Sequence, residues 1–197
     1  MNSKELYRLA EEYEDRDDLA EAYRYYLEAA LADDDGEAVT KLADMYLNGD
    51  YVDVDIDKSA HYFEIAVERG YKIPAYLYLF IGSTYEKESP ETAVEWYQKA
   101  ADAGVPYAFA CLGEHLYKGD VLPQDYEKAF EYFKKAGVHS LSLYYLGLMY
   151  ENGNYVNQSV EKAREYYWRI VDEFPDHKDY GDLHYSLAEE RLSALEK

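Results

Sequence analysis

A 26-residue segment recurs without gaps in this chain, and that recurrence constrains the fold more than any single motif. Residues 112–137, LGEHLYKGDVLPQDYEKAFEYFKKAG, return 34 positions later as LGLMYENGNYVNQSVEKAREYYWRIV and stand 70 positions earlier as LADMYLNGDYVDVDIDKSAHYFEIAV. Leu112, Gly113, Gly119, Glu127, Lys128 and Ala129 match Leu146, Gly147, Gly153, Glu161, Lys162 and Ala163, and Leu42, Ala43, Gly49, Lys58 and Ser59 hold the same register. Two degenerate copies with shorter turns start at Leu9 and Ile81. Self-similarity at about 34–36 residues is the signature of an array of helical hairpins, each with an apolar face that only its neighbours can bury.

Within a copy, the anchor leucine, the small residue after it and the aromatic four positions on (Leu146, Gly147, Tyr150) share one helical face. A Gly-Asx turn follows, after which Asp55 or Asp125 can cap the second helix. That helix carries Ala129, Tyr132, Phe133 and Ala136 as an apolar stripe. Gly70 and Gly104 read as helix stops, and Pro175 as the end of the fifth hairpin. The spacing predicts hairpins at about 1–35, 36–70, 71–105, 106–139 and 140–175, then a capping helix at 179–196, all in a single repeat domain spanning 1–197.

These copies resemble the Sel-1-like repeat family, relatives of the tetratricopeptide repeats, most strongly over residues 38–70 and 108–171. The resemblance implies an all-α, right-handed α-solenoid serving as an adaptor or scaffold for other proteins. Cysteine-rich members carry a disulfide across each hairpin; this chain has one cysteine, Cys111, so that feature does not carry over.

The formal charge is −21, from 41 acidic and 20 basic residues. Such a chain repels nucleic acid and anionic membranes and favours basic partners. A lone cysteine, a charged N-terminal stretch and no apolar run long enough to span a bilayer lead to the expectation of a cytoplasmic protein, with the monomer favoured. No cofactor or metal is expected. The run DVDIDKSAHYFE spaces Asp53, Asp55, Asp57 and Glu64 like a calcium loop, but Lys58 stands where glycine is needed and the register puts it inside a helix. Cys111 and His115, four apart, are two ligands and not a site. No nucleophile and base stand at recognisable spacing, so no catalytic residue is assigned and a hydrolase-like enzyme is the least favoured reading.

Recognition remains. In each first helix, the positions two before, two after and five after the anchor form a stripe turned away from the core. The first column reads Tyr7, Thr40, Leu79, Ala110, Tyr144 and Tyr185. The second reads Glu11, Asp44, Ser83, Glu114, Leu148 and Glu189, and the third Glu14, Leu47, Glu86, Tyr117, Glu151 and Leu192. None contains Lys or Arg. The expected site is therefore an acidic, tyrosine-rich groove that takes a Lys/Arg-bearing segment of another protein, made of Tyr7, Glu11, Glu14, Asp44, Glu86, Glu114, Tyr117, Tyr144, Leu148, Glu151, Tyr185 and Glu189. Two alternatives stand beside it. One is that the rings pack between repeats; the other is an acidic decoy, an inhibitor or immunity protein filling the nucleic-acid site of a basic protein through outer carboxylates such as Asp33, Asp34, Glu161 and Glu165.

Overall fold

The computed structural model describes residues 1–32, 36–178 and 182–195, and all regular structure among them is helical. Eleven α-helices follow in order: α1 (Ser3–Glu14), α2 (Leu19–Ala32), α3 (Gly36–Asn48), α4 (Ile56–Glu68), α5 (Ala75–Tyr85), α6 (Pro90–Asp102), α7 (Pro106–Lys118), α8 (Tyr126–Ala136), α9 (Ser140–Asn152), α10 (Val160–Glu173) and α11 (Leu183–Leu195). A 3-10 turn, Pro175–Lys178, precedes α11. Each hairpin interval holds two helices. Residues 179–181 and 196 of the expected capping helix lie outside the described residues, as do Asp33 and Asp34. Contacts gather into two compact units, Met1–Trp96 and Tyr97–Lys197, with the division inside α6.

Helix ends follow local chemistry. Asn2 and Glu5 form a capping box on α1, each side chain accepting from the other's backbone N–H at 3.0 Å. Asp55, Asp125 and Ser159 cap α4, α8 and α10, accepting from the N–H of Lys58, Lys128 and Lys162 at 3.0, 2.9 and 3.3 Å. In the long turns, Gly49, Gly119 and Gly153 take left-handed φ of 80°, 68° and 73°. Two residues later in two of these turns the backbone is left-handed again, at Tyr51 (φ 67°) and Tyr155 (φ 65°), where a non-glycine residue costs about 1–2 kcal/mol. Ring packing offsets that cost. Tyr51 lies 5.6 Å from Tyr23 and Tyr155 lies 5.7 Å from Phe130, and both partners hold one register position on the preceding hairpin's second helix.

In the first unit, α1 pairs with α2 and α3 with α4, and α2 and α4 pack on α3 and α5. Its core centres on Leu6, Tyr26, Leu42, Phe63, Leu77 and Ile81, with Trp96 stacked on Tyr78. In the second unit, α9 packs against α7, α8, α10 and α11, and every residue from Ser140 to Met149 is buried. The run SLSLYYLGLM is accordingly apolar on all sides, with no polar stripe to present.

One contact recurs in both hairpins of the second unit: a small residue on the first helix facing a fully buried ring on the second. A Cβ on Gly113 would stand 2.8 Å from the Phe133 ring, and one on Gly147 only 2.4 Å from the Tyr167 ring. Tyr167 cannot swing aside, because it is fully buried and its hydroxyl donates to Glu151 at 2.7 Å. Gly147→Ala should therefore destabilise the protein by about 1–3 kcal/mol despite the better helix propensity of alanine. That should appear as a fall in Tm of several degrees in a circular-dichroism melt, larger than for Gly113→Ala, where the ring carries no pinned hydroxyl. Equal or raised Tm for Gly147→Ala would contradict this account.

Candidate functional site

The three-column positions lie on the first helices and α11, with Glu86 just past the end of α5, and the two units use these positions differently. In the first unit, Glu11, Glu14, Asp44 and Glu86 are exposed and Tyr7 is half-buried. The Tyr7 ring lies 5.5 Å from Tyr26, and burial followed by its bond to Glu11 pushes its hydroxyl well above the ordinary tyrosine range. Glu14 accepts from the buried Tyr26 hydroxyl and pairs with Lys41 at 2.9 Å. Burial alone would raise the Glu14 carboxyl, but Tyr26 and Lys41 outweigh it and hold it below the usual glutamate value. Asp44 behaves in the opposite way. Desolvation, then the negative charges of Asp50 and Glu14, push it above the ordinary aspartate value against the pull of Lys41.

In the second unit the expected groove is covered. Tyr144, Leu148 and Tyr185, three of the expected contact residues, are buried at 7, 9 and 5% exposure and belong to the core. The reason is α11, which packs on α9 as well as α10 and places His184 at 5.5 Å from the Tyr144 ring. The carboxylates there have internal partners. Glu114 accepts from Tyr145 at 2.9 Å and pairs with Lys118; Glu151 accepts from Tyr167 and pairs with Arg191 at 3.1 Å; Glu189 lies 3.3 Å from Lys178. Tyr117 is half-buried, 5.0 Å from the Tyr145 ring, with its hydroxyl accepting from Asn154 at 3.1 Å. The columns contain no basic residue, yet Lys41, Lys118, Lys178 and Arg191 reach them from flanking positions.

A pattern within the sequence carries part of this. Glu14 and Glu151 occupy the third column in the hairpins whose buried ring is a tyrosine, Tyr26 or Tyr167. Where that ring is Phe63 or Phe133, the column holds Leu47 or Tyr117. The carboxylate follows the hydroxyl that needs an acceptor.

Elsewhere, Asp55 serves as a helix cap, and His115 is buried with Nδ1 3.0 Å from Asp120. Among the described residues, no three His, Cys, Asp or Glu side chains are placed to hold a metal ion, and no helix is long and apolar enough to cross a membrane.

With this geometry in hand, comparison with known proteins identifies the family. The Sel1 repeat model matches residues 6–34, 36–71, 75–105, 112–137 and 140–167, and the chain belongs to that family, whose members generally mediate protein–protein interactions. Its fold is the all-helical repeat fold of solved relatives. A protective antigen present in uropathogenic Escherichia coli strains, displaying an SLR fold, aligns with a TM-score of 0.61 at 24% identity over 98% of this chain and 41% of that one. A Sel1 repeat protein from Oxalobacter formigenes aligns with a TM-score of 0.58 at 20% identity over 88% and 70%. Among curated proteins, an uncharacterized protein from Neisseria meningitidis serogroup B is 30% identical over 138 residues, 69% of this chain and 29% of its own length. Protein sel-1 homolog 2 from Rattus norvegicus is 34% identical over 136 residues, 64% of this chain and 20% of its own. The chain thus spans less than a third of either curated relative.

The tyrosine–carboxylate bonds generate a direct expectation. Tyr26→Phe removes a buried donor to a charged acceptor and should cost about 1.5–3 kcal/mol near neutral pH in urea titrations. Because the Glu14 carboxyl is depressed, its contribution is present above the ordinary glutamate range and is lost as pH falls through the folded-state value. The difference between wild type and Tyr26→Phe should shrink over that acid window. A difference that stays constant down to pH 3 would show that the bond does not depend on the charge of Glu14.

Proposed function

We propose, from membership of the Sel1 repeat family, that this chain is a non-enzymatic adaptor that binds a Lys/Arg-bearing segment of another protein on the three-column face of its first unit. The observation that carries this reading is Asp44. It is an exposed carboxyl whose proton affinity is raised by desolvation and by the neighbouring Asp50 and Glu14. A guanidinium or ammonium group set beside it would favour its charged form, as Lys41 does only in part. Glu11 and Glu86 are exposed on the same columns, and the half-buried Tyr7 ring offers an apolar face beside them. The second unit supports no equal reading, since its inner tyrosines are in the core and its carboxylates serve internal bonds. The reducing, cytoplasmic setting proposed for this activity is supported by the lone Cys111 and the acidic composition.

Synthetic peptides with alternating Arg and aliphatic residues provide the test, with binding followed by surface plasmon resonance. Glu11→Gln, Asp44→Asn and Glu86→Gln combined should slow association and flatten its salt dependence. The outer set Glu131→Gln, Glu161→Gln and Glu165→Gln, with the same net charge change, should bind as wild type. Tyr7→Ala should speed dissociation and weaken binding on the order of tenfold, as expected of an aromatic anchor. Equal losses from the inner and outer sets, together with competition by nucleic acid, would favour the acidic decoy instead. The pH dependence has a defined sign: binding needs ionised Asp44, so affinity should begin to fall above the ordinary aspartate range as pH is lowered, and Asp44→Asn should lack that early fall.

A further inference from the structure

The helix that covers the second unit is held differently from those beneath it. α11 buries only Tyr185 and Ala188, whereas α9 buries every residue from Ser140 to Met149. Its first turn is tied by one carboxylate, Asp182, on which four groups converge. Ser140 Oγ donates at 2.7 Å from the start of α9, and His177 Nδ1 lies at 2.7 Å from the 3-10 turn. The backbone N–H groups of His184 and Tyr185 donate at 2.7 and 3.2 Å. Burial would raise the Asp182 carboxyl, but these bonds outweigh it and hold it below the ordinary range. Ser140 turns its hydroxyl to the carboxylate and not to the imidazole, so the trio is a tie and not a nucleophile with its base.

His184 sits one turn into this arrangement, against Tyr144 at 5.5 Å and Tyr145 at 6.1 Å between ring centres, with 18% of its side chain exposed. The ionisable groups facing it are Asp182, with Oδ1 3.7 Å from its Nδ1, Glu114 and Lys118 from α7, and the two α9 tyrosines. From α10, which also packs on α11, Arg164 donates to the Leu195 carbonyl at the far end of α11, at 2.7 Å. Burial lowers the proton affinity of His184 and Lys118 adds to this; Glu114 and Asp182 oppose it without reversing it.

We propose that α11 is a proton-sensitive strap: charging His184 unseats its first turn from α9 and uncovers Tyr144 and Leu148. The sign follows from linkage. A histidine that is harder to protonate when docked stabilises the docked state fully above the ordinary imidazole range. That stability falls as pH drops through about 6.5 and levels off below the depressed folded-state value. Asp182 loosens the strap only in a lower window, once pH falls below the usual carboxylate range. His177 meets Asp182 and not His184, and so serves as the control position. The uncovered face would offer the adaptor a second, acid-exposed place for an apolar segment; that consequence rests on the binding reading above, while the strap itself does not.

Amide hydrogen exchange on the whole chain, without any partner, tests the strap. The probes are the amides of Tyr185, Leu187 and Ala188 at pH 7.5 and 5.5, each divided by its intrinsic rate at that pH. A single histidine with an ordinary value of about 6.5 in the open state allows up to about a tenfold rise in opening over this interval. That rise should appear in wild type and in His177→Gln, and should vanish in His184→Gln and His184→Asn. Asp182→Asn should raise opening at both pH values. Unchanged α11 protection between pH 7.5 and 5.5 in wild type, or a rise that persists in both His184 variants, would overturn the proposal.

Discussion

The structure depends on one contact repeated along the chain: a large ring from the second helix of a hairpin driven to full burial. Tyr26, Phe63, Phe133 and Tyr167 hold this position at 0, 1, 0 and 0% exposure. Close packing of this kind leaves no room for error on the facing helix, which is why Gly113 and Gly147 have no side chain to add. It also imposes a polar condition. When the buried ring is a tyrosine, its hydroxyl needs an acceptor, and an unsatisfied one would cost about 1–3 kcal/mol. Glu14 and Glu151 meet that condition, so part of the acidic character follows from the core.

Aromatic packing within and between hairpins is a second layer built on the same periodicity. Tyr46 stacks on Tyr62 and Tyr150 on Tyr166, with ring centres 5.7 and 5.6 Å apart and planes within 11° and 14° of parallel. Lys58 and Lys162 lie over the Tyr46 and Tyr150 rings at 5.1 and 4.9 Å. Tyr23 and Phe130 close the first and second clusters from the preceding hairpins, beneath the left-handed Tyr51 and Tyr155. Each ring pair adds about 0.5–1.5 kcal/mol beyond its buried area, so these clusters both close a hairpin and join it to the one before.

What was legible in the sequence was local or periodic. The caps at Asp55 and Asp125, the helix stops at Gly70 and Gly104 and the two helices in each interval all depend on residues within a few positions of one another. Spacing also put the three-column residues on the first helices. It did not show which of them meet solvent, because that is decided by the placement of α11, more than 30 residues beyond Tyr144. Repeat register alone puts Tyr144 and Leu148 on the outward columns; they are core, and a helix from outside the hairpin packs on α9 there. The left-handed tyrosines carry no sequence signal for a related reason: the glycine two residues before each already accounts for an irregular backbone.

This bears on how net charge should be weighed in a chain of this type. A charge of −21 points toward cationic partners only to the extent that the carboxylates are available to them. Glu14, Glu114 and Glu151 each accept from a tyrosine hydroxyl and face Lys41, Lys118 or Arg191 at close range, and Glu11 is bonded to Tyr7. Any incoming cation would have to displace these bonds before gaining from the charge, and surface ion pairs return only about 0–1 kcal/mol. Asp44 differs because its environment disfavours its own charge: desolvation does most of this, Asp50 and Glu14 add to it, and Lys41 does not fully compensate. A cation beside it would favour the charged form without first breaking a tyrosine bond. In the proposed function, Asp44 is therefore the anchoring position, and the far larger number of acidic residues would add long-range steering to it.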